Sequence, residues 1–515
     1  MTGLSASERD IQMPVPQILA VSARTASLLV VPEGAKYTLP APIRWTLTDA
    51  EHVVVKSGEA HSVGIFLDKL TPNSTYLFES DLGSVRFQTQ SCAGLIDAME
   101  FGVTPDAKDN GQALQRAIEA VPKGGTLRVG AGTYASSPLF LHPNMTLLLE
   151  RGCILSAISN RSQWPILNAH DEQGRVLGTW EGLPEASHAA LITGIDCHNL
   201  TITGAGTIDG GGSTGDWWQW PKETRAGARR PRTIHLAHSN QVTLTGVAVR
   251  NSPSWTVHPY CCNNLHVSNV SISNPPTSPN TDGLNPESCE DVTISAVHFS
   301  VGDDCIAIKA GKRAIDDNSH LVPTRGIAIQ NCLMERGHGA VVLGSEISGG
   351  IFDIDIRNCE FNATDRGLRI KTRRGRGGEV SSIRMSDVDM TDVPTPLAIN
   401  AFYYCDPDGK SDWVQSREPA PVSETTPIIK DVSIERVSAR GVTTAFAAVL
   451  GLPEAPISGV TIRDVTLTFA PNPAPDVPLM ALHVPTMGHA GLWAEFATVD
   501  HDINFSALQK DTAPC

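Results

Sequence analysis

The chain has 515 residues, 40 Lys plus Arg against 55 Asp plus Glu, and a formal net charge of −15. Charged residues are 18% and hydrophobic residues 41%, which excludes a largely disordered chain. The acidic balance argues against a general nucleic-acid binder and against docking on an anionic membrane. No apolar run approaches the roughly 20 residues of a membrane span.

Residues 1–10, MTGLSASERD, carry no basic stretch followed by an apolar one. The expectation is a cytoplasmic protein, with a periplasmic or secreted location as the alternative if a leader has been removed. Residues 13–92 read as a small β-sandwich of about seven short strands, such as Ala26–Val31 and His52–Val55, separated by Pro/Gly turns. The stretch Leu70-Thr71-Pro72-Asn73-Ser74-Thr75-Tyr76 resembles the tyrosine corner of fibronectin type III domains. No catalytic cluster is visible in this unit.

From residue 93 the pattern changes. Asn110–Val121 is an amphipathic helix, followed by Gly124-Gly125-Thr126-Leu127-Arg128-Val129 and then by many strands of four or five residues. Examples are Leu200-Thr201-Ile202, Val242-Thr243-Leu244, Val292-Thr293-Ile294, Ile354-Asp355-Ile356 and Val460-Thr461-Ile462. Most follow Asn, Asp, Ser or Gly, and their starts are mostly 23 to 35 residues apart. A propeller repeat is longer and a leucine-rich repeat has its own Leu/Asn frame. The period fits a parallel β-helix of about ten coils over residues 93–515, with the helix capping the open amino-terminal edge. The 11 Cys are odd in number and form no CxxC pair, which favours reduced thiols. Cys305, Cys332 and Cys359 are 27 apart, as are Cys262 and Cys289, and read as an inward thiol ladder.

Three acids fall on two consecutive repeats: Asp282 in Asn280-Thr281-Asp282-Gly283, and Asp303 and Asp304 in Gly302-Asp303-Asp304. One coil brings them to adjacent rungs about 4.8 Å apart. For Asp303 and Asp304 both to face out, the chain must bend between strands. The next coils supply His338 in Gly337-His338-Gly339, then Arg369 and Lys371 in Arg369-Ile370-Lys371, which share a strand face. Such a set suits glycoside hydrolysis, which needs one protonated carboxyl and one ionised carboxyl. Crowded like charges separate those two roles. The cations suit a substrate that is itself a carboxylate.

The motifs NTDG, GDD, GHG and RIK, in this order, resemble the four signatures of glycoside hydrolase family 28, the polygalacturonases. The resemblance implies a right-handed parallel β-helix and inverting hydrolysis of α-1,4-galacturonosidic bonds in polygalacturonate or oligogalacturonides. It implies Asp303 as general acid, Asp282 and Asp304 as the pair that holds and deprotonates water, and His338 as support for the acid. Arg369 and Lys371 would bind the galacturonate carboxylate. Asn280, Tyr403 or Tyr404, His258 and Arg373 complete the expected substrate-binding set. No metal or cofactor is required, and no nucleic acid or membrane is an expected partner.

Arg366 to Arg376 (RGLRIKTRRGR) holds six cations and no acid, and reads as a local site for a polyanionic sugar. This run, with Gly337–Gly350 and Asn400–Cys405, resembles the bacterial exo-acting branch, whose members close one end of the cleft with loops. Residues 164–184 and 210–232 are the loops expected here, the second carrying Trp217, Trp218, Trp220 and Lys222. The alternatives are a rhamnogalacturonan or xylogalacturonan hydrolase, a pectate lyase, or a β-helical carbohydrate-binding protein without catalysis.

Overall fold

A computed structural model describes residues 16–220 and 222–503. Between Gln17 and Gln88 it has seven antiparallel strands in two sheets, one of three strands and one of four. Leu28, Leu47 and Phe78 are sealed between them. The Tyr76 hydroxyl accepts a hydrogen bond from the Thr71 amide at 2.9 Å, tying the corner before the strand Thr75–Ser80 to the strand itself. The unit sits on the following domain through polar contacts. Glu360 accepts from the amides of Tyr37 (2.9 Å) and Thr38 (2.7 Å) and from the Thr38 hydroxyl (2.7 Å).

The remainder is a right-handed parallel β-helix. Along its longest sheet, twelve rungs stack in parallel register from Gly125–Val129 to Ala497–His501. The register is set by inward side chains. Leu147, Ile202, Leu244, Val267, Ile294, Ile329, Ile356, Met385, Ile434 and Ile462 lie directly above one another, all buried. Burying each stabilises the fold by about 2 kcal/mol. A slip of one residue would turn the whole stack to solvent, so period-two alternation and coil length together fix the register.

The polar residues that open each rung have a backbone reason. Asn199, Gln241, Asn264, Asp291, Asp353 and Asp431 all have φ between 52° and 59°, at the corner where the chain enters the long sheet. Asn and Asp tolerate that left-handed conformation better than other non-glycine residues. The helix Gly111–Glu119 lays Leu114, Ala117 and Ile118 over the first coils, as its sequence predicts.

The thiols depart from a single ladder. Cys262 and Cys289 lie at one corner of adjacent coils, just before the rungs at Asn263 and Glu290. Cys332 and Cys359 occupy another corner, and Cys305 lies on a different sheet, in the strand Asp304–Ile308. Equal sequence spacing reports coil length and says nothing about which side of the coil a residue occupies. All five are buried and unbridged.

Candidate active site

The acids gather at the edge of a second, shorter sheet. Its strands Asp304–Ile308, Gly339–Gly344, Arg366–Lys371 and Thr395–Asn400 stack in parallel, with Ile306, Val341, Leu368 and Leu397 in line. Leu284 bridges Val257 and Ile306, so Asp282 and Asp304 each stand two residues before aligned core positions. The chain bends at Gly302 and Asp303 before the strand opens at Asp304. That bend resolves the adjacency problem: the Asp303 carboxylate turns back and accepts from the Asp304 amide at 3.0 Å.

His338 closes over the bend. Its amide donates to the Asp303 carbonyl at 2.9 Å, and its Nδ1 lies 3.2 Å from Asp303 Oδ1. Two glycines make this approach possible. A Cβ on Gly337, whose φ is 140°, would lie 2.7 Å from the Asp303 carbonyl oxygen. A Cβ on Gly339 would meet Val342 Cγ2 at 2.5 Å and stand between Asp304 Oδ1 and the Arg369 chain. Across that gap Lys371 Nζ donates to Asp304 Oδ2 at 2.7 Å, and Arg369 Nη1 reaches Asp304 Oδ1 at 3.5 Å. Both cations also lie over the ring of Tyr403, at 5.6 and 5.4 Å from its centroid.

These contacts divide the carboxyls. Burial pushes Asp282 up to about 7, and the neighbouring charges of Asp303 and Asp304 add to it. Burial would also raise Asp303, but the hydrogen bond and charge of His338, with Lys371 and Arg369 behind, hold it down at about 2. His338 rises to about 9 through its bond to Asp303, against the effect of burial. The last two shifts describe one proton shared by a pair that titrates as a unit.

The cavity over these groups has a volume of about 80 Å³. It is bordered by Asp282, Asp303, Asp304, Lys371, Tyr403 and Asn280, as the sequence anticipates, and also by Trp255. Lys309, Glu346, Ser345, Glu181, Lys222 and Cys405 border it too. Lys309 and Glu346 are absent from the sequence-derived set. The available signal was a lysine inside the otherwise apolar run Cys305–Ala310. A larger cavity, about 760 Å³, lies between the amino-terminal sheets and the β-helix. It contains no carboxylate, so size alone does not mark the site.

Three expected substrate contacts lie elsewhere. His258 is fully buried with Nε2 2.9 Å from Glu287 Oε2, which also accepts from the Thr179 hydroxyl at 2.6 Å. Burial keeps that imidazole neutral, and the Glu287 carboxylate it meets ties Thr179 to the β-helix. Arg373 is held by Asp406 (2.9 Å) and Asp408 (2.7 Å). Tyr404 carries Lys410 over its ring and does not border the cavity. The basic run is likewise mostly structural: Arg374 pairs with Glu454, Arg376 with Asp406, and Arg366 binds the carbonyls of Val477 and Pro478. Only Arg369 and Lys371 of the six face the acids. Trp217 and Trp220 are buried against Trp164 and His188 and do not line the cleft.

Part of the cavity wall is Glu181, the tip of a hairpin that pairs Thr179–Trp180 with Leu183–Pro184. Trp180 stacks parallel to Trp255 at 6.3 Å, and the carbonyl of Gly182 accepts from the Lys312 amide at 2.9 Å. Glu181 at its tip pairs with Lys222 at 3.0 Å.

The family model for glycosyl hydrolases family 28 matches residues 179–476, which include the walling hairpin and every acid and cation described above. The chain belongs to this family. A probable polygalacturonase of Vitis vinifera is 31% identical over 398 residues, covering 76% of this chain and 77% of its own. An endo-polygalacturonase of Pectobacterium parmentieri is 30% identical over 310 residues, covering 58% and 73%. An exo-poly-alpha-D-galacturonosidase of Dickeya chrysanthemi is 25% identical over 418 residues, covering 69% and 64%. Among solved structures, a family 28 exopolygalacturonase of Yersinia enterocolitica shares the fold with a TM-score of 0.67. That match is at 19% identity and covers 95% of this chain and 98% of its own. These relatives correct one expectation. Pectin-degrading homologues of this family are secreted or periplasmic, so the cytoplasmic placement drawn from residues 1–10 does not stand for this family 28 chain. Those residues lie outside the described ones.

Proposed function

We propose that the protein hydrolyses α-1,4-galacturonosidic bonds in polygalacturonate and its oligomers, with inversion. The observation that carries this is the pairing of Asp303 with His338 beside Asp282, with the cations of Lys371 and Arg369 on Asp304. The Asp303–His338 pair holds one proton and delivers it from Asp303 to the leaving oxygen. Asp282, with an affinity for protons near neutrality, takes the proton of the attacking water. Asp304 orients that water and anchors Lys371 and Arg369. A galacturonate carboxylate arriving at these cations neutralises part of the charge that holds Asp303 down, and so moves the shared proton toward the acid. Asn280, fixed by Arg230 Nη2 at 2.7 Å, and Tyr403 complete the contacts to the sugar.

The proposed mode of attack is exo, from the non-reducing end, releasing mono- or digalacturonate. The walling hairpin, anchored through Thr179 and stacked through Trp180, supports it, as does the likeness to the Dickeya enzyme. The Pectobacterium relative is an endo enzyme. A product time course on polygalacturonate decides between the two modes. Only mono- or digalacturonate at the earliest times supports exo attack, whereas an early ladder of lengths refutes it. We also propose that residues 13–92, of which 13–15 lie outside the described residues, form a fibronectin III-like unit, supported by the Thr71–Tyr76 bond.

A further inference from the structure

We infer that Glu346 sets the charge state of Asp282 by holding Lys309 away from it, so that Lys309 and Glu346 act together as positioning residues for the water-activating carboxylate. The inference rests on the reading of Asp282 given above and concerns two residues outside the sequence-derived set.

Lys309 follows the strand that Asp304 opens, and bridges in parallel to Glu287. Its ammonium donates to Glu346 Oε2 at 2.7 Å and stands 4.6 Å from the Trp255 ring centroid. Both residues are 5% exposed, yet both border the catalytic cavity. Glu346 is fixed from two further sides. The Ser345 hydroxyl donates to its other oxygen at 2.8 Å, and the walling hairpin presses on its chain. A Cβ on Gly182 would lie 2.7 Å from Glu346 Cγ. A buried ion pair adds little to stability over an apolar pair of the same volume, so the fold alone gives no reason for one at this wall.

The electrostatics around Asp282 supply the reason. Facing it are Asp303 and Asp304 from the neighbouring rung, Lys309 from beyond that rung's end, and Arg230 and Arg232 from the 210–232 loop. The Asn285 amide donates to it at 2.9 Å. Around the Lys309–Glu346 pair stand Asp282, Asp304, Arg376, Glu287 and Lys371. Lys309 faces Asp282 on a flexible stem, yet its ammonium is committed to another carboxylate. Were Glu346 neutral, that ammonium would be free to turn onto Asp282. A direct partner would lower the carboxyl further and weaken it as a base.

The test uses the opposite signs of two substitutions. Asp282 is followed by carboxyl-carbon NMR of aspartate-labelled protein, with Asp282→Asn for assignment, and the acidic limb of kcat/KM on polygalacturonate is recorded in parallel. The inference expects Glu346→Gln to move the Asp282 titration down by about one pH unit and Lys309→Met to move it up by about one unit. The acidic limb should follow both. Lys309→Arg, which keeps the charge, should leave the titration near that of the wild type, and it carries the test with Glu346→Gln if Lys309→Met does not fold. Shifts in the same direction, or none, overturn the inference. If the wild type does not turn over polygalacturonate, the functional reading fails while the carboxyl titration still decides the role of this pair.

Discussion

Replacing His338 by Gln tests whether the catalytic proton belongs to a pair. In the native arrangement the Asp303–His338 unit keeps its proton up to about pH 9, because His338 is raised to that value by its 3.2 Å contact with Asp303. Without the imidazole, Asp303 must hold the proton alone. Burial raises it, but Lys371 and Arg369 still favour its ionised form, so its affinity stays near the ordinary carboxylate value of about 4. The protonated fraction is then about a thousandth at pH 7 and about a tenth at pH 5. Between those two pH values the native pair keeps its proton, so the rate of His338→Gln relative to wild type should fall about a hundredfold more at pH 7 than at pH 5. The assay is initial-rate hydrolysis of polygalacturonate across that range, with imidazole NMR of the wild type and of Asp303→Asn. The His338 ring should titrate near 9 in the first and return toward its usual value in the second. An equal loss at pH 5 and pH 7 would refute the argument, since His338 would then be orienting groups and not storing a proton.

Two further outcomes follow from the same charges. Asp282 is 4% exposed and shifted from 3.8 to about 7, so its ionisation strains the fold. A carboxyl raised in the folded state contributes stability below pH 3.8 that is lost as pH rises through 7. Asp282→Asn should therefore gain up to about 4 kcal/mol over the wild type at pH 8 relative to its effect at pH 4, measured by denaturant melts, while losing activity. No change with pH would show that Asp282 is not the titrating group. Asp303→Asn should retain most of its rate on an aryl galacturonide with a good leaving group, where no proton need be delivered, and lose it on polygalacturonate. Equal losses on both substrates would assign Asp303 another role.

The fold was legible because its information is periodic. Short apolar runs with Asn or Asp at their heads recur once per coil, and the corners at Asn199, Asn264 and Asp431 show why those residue types are there. The acids were legible as motifs, and the glycines of GHG mark where backbone must pass between Asp303, Asp304 and Arg369. Composition misled where it counted charges without partners. The run Arg366–Arg376 looks like one anion site, yet four of its six cations are used up by Asp406, Asp408, Glu454 and the carbonyls at 477 and 478. Those partners lie 30 to 112 residues away, and no local pattern announces them. His258 misled in the same way, since its partner Glu287 is one coil on and closes it off from the cleft.

The pairing of charges around the cavity explains the division of labour among the acids. Lys222 has Glu181, Lys309 has Glu346, Lys371 and Arg369 have Asp304, and His338 has Asp303. Among the described residues Asp282 forms no ion pair, and its side-chain hydrogen bond is from the neutral amide of Asn285. It is also the carboxyl of the three that is pushed up toward neutrality. A base is most effective when its affinity for protons lies near the working pH, which an ion pair would spoil. The cations therefore serve the chemistry by being engaged elsewhere. Lys309 and His338 hold their own carboxylates ionised, and the acid without a cation partner among the described residues is the one able to exchange a proton with water.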